Sequence, residues 1–190
     1  MGKIDFRTVQ WVHEPKLYIC DENRITVETE PYTHWRKDVT NFGAEMKLPM
    51  KKSFLFTICT EFVYRKPFDQ CGLLLYNGDV KKAVICTEKK DDEYLRLVAN
   101  VFHQENGDRS MRDVGSALGR MFYRVIYRGG ACRVQYSFTG ARYTDLREFH
   151  VDPNMGITAV CMFACSPSDS YFDCTFCEAN IYDERMIEDD

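Results

Sequence analysis

The sequence has no basic block beyond short pairs such as Lys51-Lys52 and Lys81-Lys82, and its formal charge is −4, from 25 basic and 29 acidic residues. A nucleic-acid partner needs a positive patch or stripe, so that class is not supported. The amino-terminal stretch MGKIDFRTVQWVHEP is charged throughout, and lacks the apolar run of about 7–15 residues that a signal peptide requires. Position 6 is Phe rather than the Ser or Thr of a myristoylation signal, and no Asn-x-Ser/Thr sequon occurs. No membrane partner is expected. Phosphate-cradling G-x-x-x-x-G-K and G-x-G-x-x-G motifs are missing too, which gives no cofactor to expect. Gly115-Ser116-Ala117-Leu118-Gly119 places its serine one position too early for the hydrolase elbow G-x-S-x-G.

Nine cysteines are present, an odd number, and Cys59, Cys86, Cys161 and Cys165 lie inside apolar, strand-like runs. There a free thiol acts as a small hydrophobe, and the simplest setting is a reducing cytoplasm. Cys161, Cys165, Cys174 and Cys177 give C-x3-C-x8-C-x2-C, superficially a zinc pattern. Zinc pairs need a tight turn between them, whereas Cys174-Thr175-Phe176-Cys177 favours a strand whose two cysteines point to opposite faces. No metal is expected from this set. His13, His34, His103 and His150 are scattered without ligand spacing.

Aromatics are plentiful, with 13 Phe and 11 Tyr, and strand signals recur at short spacing from end to end. The expectation is an all-β, largely antiparallel domain. Strands are predicted at 16–20, 24–30, 54–64, 71–76, 82–88, 93–102, 121–127, 132–138, 156–165 and 172–182. Asp21-Glu22-Asn23 and the Gly129-Gly130 pair supply hairpin turns, the glycines through positive φ. Gly72, inside the apolar run Phe68-Asp69-Gln70-Cys71-Gly72-Leu73-Leu74-Leu75-Tyr76, signals a bulge or a close approach by backbone or ligand.

Alternation assigns faces, because successive strand residues point to opposite sides. Leu95, Leu97, Ala99 and Val101 oppose Tyr94, Arg96 and Asn100, and Ala83 and Ile85 oppose Lys82, Cys86 and Glu88. Val134, Tyr136 and Phe138 oppose Arg133, Gln135 and Ser137. One sheet is therefore expected to show a polar face, either a plain solvated surface or a concave binding face. Gln70, Gly72, Leu74 and Tyr76 share a side, so Gln70 and Tyr76 are expected to reach a ligand together, while Asp69 is expected to hold a turn or backbone amide. Trp35 lies among polar residues, placed either at a cleft or as a core filler. Glu28 and Glu30 share a strand face at a spacing that could suit a glycosidase pair but also fits exposed charges.

Phe68–Tyr76 with Lys82, then Tyr136-Ser137-Phe138-Thr139-Gly140 through Arg147, then 155–167 with Phe172 and Phe176, together resemble the regulation-of-enolase family of uncharacterised proteins. That family lies in the concanavalin A-like lectin/glucanase superfamily, and the resemblance covers about residues 11–182 of the sequence. It implies a single-domain jelly-roll sandwich of two antiparallel sheets over residues 1–190, with a short acidic tail from about 183. It makes Asp69, Gly72, Tyr136, Ser137, Gly140 and Arg147 structural markers. Cys86 stands where a Glu is common in the family, and the catalytic E-x-D-x-x-E strand of laminarinases is missing, so no catalytic residue is assigned.

The expected function is non-catalytic binding of carbohydrate or another small polar ligand. Trp35 or Tyr76 would stack on it, Gln70 would hydrogen-bond it, and Lys82, Glu88 or Arg96 would orient it. The alternatives are a regulatory module acting on a metabolic-enzyme partner, as the family name implies, and a glycoside hydrolase, which needs two carboxylates in one cleft.

Overall fold

A computed structural model describes residues 2–36, 40–103, 106–152 and 156–182; the acidic tail expected from 183 lies outside the described residues. Fifteen strands follow one 3-10 turn or flank it: β1 (Gly2–Lys3), β2 (Gln10–His13), β3 (Tyr18–Cys20), β4 (Arg24–Glu28), β5 (Ala44–Pro49), β6 (Phe54–Phe62), β7 (Gln70–Asn77), β8 (Val80–Lys89), β9 (Tyr94–His103), β10 (Asn106–Gly115), β11 (Arg120–Arg128), β12 (Ala131–Ser137), β13 (Thr144–His150), β14 (Ala159–Cys165) and β15 (Asp173–Tyr182). They form two antiparallel sheets. One runs β13-β12-β11-β6-β15-β4-β3, with β1 beside β15, and the other runs β10-β9-β8-β7-β14-β5-β2. Among the described residues no helix is long and apolar enough to cross a membrane.

Period-two patterning makes the sandwich. Phe54, Phe56, Ile58 and Phe62 of β6 and Tyr123 and Val125 of β11 face Leu73 and Leu75 of β7, Ile85 of β8 and Leu95 and Leu97 of β9, all buried in one cluster. The turns behave as their residues dictate. Asp21 Oδ1 accepts the amides of Asn23 at 2.7 Å and Arg24 at 3.0 Å, and Gly129 and Gly130 take φ of 57° and 90° between β11 and β12.

The seven-stranded sheet departs from simple alternation. Every residue of β14 is buried, and Leu74, Val84, Cys86, Val98, Cys161, Phe163 and Cys165 form a second apolar cluster on the face turned away from the main core. The expected polar face is thus apolar along its middle and polar along its sides. Nor does it gather all three strands assigned to it: Arg133 and Gln135 belong to β12, in the other sheet. Both faces show the same alternation, and sequence pattern does not say which sheet a strand joins.

Five strands were not expected from the pattern: the short β1 and β2, and β5, β10 and β13. β10 carries mostly exposed polar residues, and β5 and β13 lack strong alternation of β-branched side chains. Tertiary pairing makes them strands; β10 extends the sheet at its edge through ten residue pairs with β9.

Gly72 answers its own question. A Cβ at this position would stand 2.1 Å from the Ile85 carbonyl oxygen and 2.7 Å from Cys86 Cα, so the close approach is by the backbone of β8. Gly72→Ala is predicted to destabilise the fold by about 3 kcal/mol, the upper part of the usual overpacking range. Urea denaturation measures it; a loss below about 1 kcal/mol would mean that β7 and β8 separate without strain.

Candidate functional site

Residues 31–36 and 40–43 cross the outer apolar cluster of the seven-stranded sheet. The crossing is tied down by backbone bonds, Tyr32 N to Ser168 O, Thr33 N to Ser166 O, His34 N to Asn41 O and Gly43 N to His34 O, all at 3.0 Å. This brings the Trp35 ring onto the cluster, where it packs with Phe102 at a centroid distance of 6.1 Å. Its indole Nε1–H donates to Gln70 Oε1 at 2.9 Å. Gln70 in turn donates from Nε2 to the Phe68 carbonyl at 3.1 Å. A buried indole N–H needs a partner, and Gln70 supplies it.

Trp35 separates two cavities. The first, about 390 Å³, is bounded by His34, Trp35, Arg36 and Phe68 on one side and by Gln70, Glu88, Asn100 and Arg109 on another, over a floor of Val84, Cys86 and Val98. The second, about 290 Å³, lies between Trp35, His13, Phe42, Glu45, Tyr76 and Lys81. Burial against Glu45, to which it hydrogen-bonds, raises the Tyr76 phenol well above its ordinary value, with burial the larger cause. Gln70 and Tyr76 share a strand face but line different cavities, so the expectation that they reach one ligand together is not met.

Lys82 lines neither cavity. A bulge pairs Leu75 with Ala83 and Tyr76 with Lys81, leaving Lys82 as the extra residue. Lys81 is the lysine at the crossing: its ammonium donates to the Trp35 carbonyl and stands 4.8 Å from the centroid of the Trp35 ring and 5.7 Å from that of Tyr76. The geometry therefore gives Lys81 the place the sequence suggested for its neighbour.

Glu88 is buried, with its side chain 8% exposed, and is held by two guanidinium groups. Arg96 reaches Glu88 Oε1 at 3.2 Å, and Arg109 reaches both carboxylate oxygens at 3.3 and 3.4 Å. Arg96 sits directly across from Glu88 in the β8–β9 register. Arg109 comes from β10, which carries no recognisable strand signal, so nothing in the sequence marked it for the site. Asn100 has its Oδ1 buried without a hydrogen-bond partner among the described residues. Among the described residues of the first cavity Glu88 is the one carboxylate, and an arginine-paired carboxylate alone does not make the acid and nucleophile of a glycosidase. Glu28 and Glu30 stand on β4 and just beyond it, with Glu30 engaged by Lys16 at 2.5 Å.

The structural markers are spread over both sheets and line neither cavity. Asp69, fully buried, accepts through Oδ2 from the amides of Arg65 and Lys66 and from the Ser170 hydroxyl, each at 2.9 Å, and so fixes the turn entering β7. Ser137 Oγ accepts the Gly140 amide at 3.0 Å, while Gly140 takes φ 78° against the Phe122 ring. Tyr136 accepts from Arg112 at 2.8 Å. Arg147 bonds Ser110 and Asp108, joining β13 of one sheet to β10 of the other.

The two antiparallel sheets make the chain a β-sandwich of the jelly-roll-like class. The chain belongs to the family described as Protein of unknown function (DUF1349), which matches residues 11–183. It is similar to a functionally unknown protein from Saccharomyces cerevisiae, at 19% identity and TM-score 0.75 over 93% of this chain and 96% of that one. It also resembles the GH43 protein BlXynB from Bacillus licheniformis, at 12% identity and TM-score 0.68 over 88% of this chain but 35% of that one. A further likeness is the CBM2 module of the evolved Dit of Lactobacillus casei BL23 phage J-1, at 9% identity and TM-score 0.61, over 88% and 81% of the two chains. These identities bear on fold alone. No curated protein matches the chain.

Because Gln70 holds the indole, Gln70→Ala is expected to release Trp35 from its partner. In a Trp11→Phe background, which leaves Trp35 as the single tryptophan, its fluorescence should move to the red and its anisotropy should fall. An unchanged emission maximum would show that packing alone fixes the ring.

Proposed function

We propose that the first cavity binds a hydroxyl-rich ring, a sugar or a small polar molecule of like shape, without turning it over. The observation that carries this reading is the pairing of an unsatisfied acceptor with an aromatic wall: Asn100, whose buried Oδ1 has no partner among the described residues, lines the same cavity as Trp35. A buried unsatisfied acceptor costs about 1–3 kcal/mol, which a ligand hydroxyl would recover on binding. Trp35 offers a ring to stack on, and Gln70 retains one amide hydrogen to donate. The volume suits one ring rather than a long chain.

Charge narrows the ligand further. Arg36 and Arg109 against Glu88 leave the lining net positive, which favours a neutral ring or one bearing a single acid group over a cation. Neighbours in carbohydrate-active proteins and a carbohydrate-binding module lend the reading support at the level of fold. A reducing cytoplasmic setting fits nine cysteines of which seven are buried as small apolar side chains.

A second reading follows the narrower resemblance to the regulation-of-enolase family: a regulatory module on a metabolic enzyme. In its favour, β10 is a sheet edge, with Met111 56% and neighbouring Tyr94 42% exposed. Stoichiometric capture of such an enzyme from native lysate, lost on Met111→Lys, would support it; capture unaffected by that change would count against this edge.

For the binding reading, calorimetry with neutral and uronic-acid oligosaccharides is the test. Trp35→Ala and Asn100→Ala are expected to weaken binding at least tenfold each, about 1.4 kcal/mol, with melting transitions that stay cooperative. No heat from any sugar at millimolar concentration would remove the proposal.

A further inference from the structure

On the outer face of the other sheet, two cysteines face each other across neighbouring strands. Cys59 of β6 and Cys177 of β15 are register partners. Their Sγ atoms and a carboxylate oxygen of Glu178 all lie within 4.8 Å of one another. Adjacent strand residues normally point to opposite faces, so Cys177 and Glu178 should not meet at one place. They meet because β15 bulges after Cys177 and Glu178 adopts φ 52°, a left-handed conformation unfavourable for a side chain of this kind. The bulge accounts for the left-handed backbone but not for a Glu there, since Gly adopts that conformation without steric strain.

We infer that Cys59, Cys177 and Glu178 form a site for a thiophilic divalent cation of the zinc class, with the fourth position left to water. The donor set of two thiolates and one carboxylate matches zinc's preferences. A tetrahedral ion with Zn–S near 2.3 Å holds its sulfurs about 3.8 Å apart, which directly opposed strand residues can reach. The surroundings suit it as well. Cys59 is fully buried, facing Phe122 of β11 in the strand register, while Cys177 and Glu178 open toward solvent and give the ion a way in. Glu61, two residues along β6, is paired with Arg24 at 3.6 Å, so those two charges offset each other beside the site. Binding would expel the thiol protons to solvent as both sulfurs become ligands. Of the C-x3-C-x8-C-x2-C pattern this site uses Cys177 alone: Cys161 and Cys165 lie on the other sheet, and Cys174 is in the main core.

The test is cobalt titration of the full chain, stripped of metal and kept reduced. The expected result is one equivalent of Co²⁺ giving thiolate charge-transfer and tetrahedral d–d bands, displaced by one equivalent of Zn²⁺. Cys177→Ser should abolish the bands and Glu178→Gln should weaken affinity at least tenfold, while Cys161→Ser leaves both unchanged. Glu178→Gln keeps the test decisive if Cys177→Ser fails to fold. The proposal is overturned if the bands do not form, if they survive both substitutions, or if Cys161→Ser removes them.

Discussion

One constraint shapes this molecule: the seven-stranded sheet is apolar on both faces, so its outer face has to be covered. A sandwich ordinarily hides one face of each sheet and leaves the other to water. Here Leu74, Val84, Cys86, Val98 and Phe163 are buried on the outer side. What covers part of them is the crossing segment, through Trp35. The Trp35–Gln70 hydrogen bond, the Lys81 contact with the indole and the backbone ties to Ser166 and Ser168 follow from that need. Incomplete coverage is what leaves cavities on either side of the ring.

The polar rim is a consequence of the same burial. A carboxylate taken out of water must be compensated, and Glu88 is answered by Arg96 and Arg109 from the next two strands. Those arginines fix the wall of the cavity. Asp69 is compensated beside it in sequence, where its carboxylate gathers two amides and a hydroxyl around the turn into β7. Binding surface and structural support are thus built from neighbouring residues of one segment, with Asp69 serving the turn and Gln70 serving the cavity.

The fold class was legible because period-two alternation and turn residues are local signals, and the long apolar strands β6, β7, β9 and β14 carry them strongly. Strands β5, β10 and β13 were not, since their pairing rather than their composition makes them strands. Face assignment within a strand was sound, as Gln70, Gly72, Leu74 and Tyr76 show. Which residues share a cavity was not readable, because a ring from residue 35 separates Gln70 from Tyr76 and because a bulge substitutes Lys81 for Lys82. Arg109 escaped notice for a different reason: an exposed, charged strand has the composition of a loop. Gly72 was read as a place of close approach, and the neighbour turned out to be backbone rather than ligand.

The central claim is that the space beside Trp35 and Asn100 receives a ligand. Nitrogen–proton correlation spectra of the labelled chain during titration with sugars test it most directly, since the two indoles and the Asn100 side-chain amide report separately. The account predicts that Trp35 Nε1–H and the Asn100 amide shift together along one saturating curve while Trp11 stays in place. Shifts confined to Trp11 or spread without saturation, or none at millimolar sugar, would contradict it.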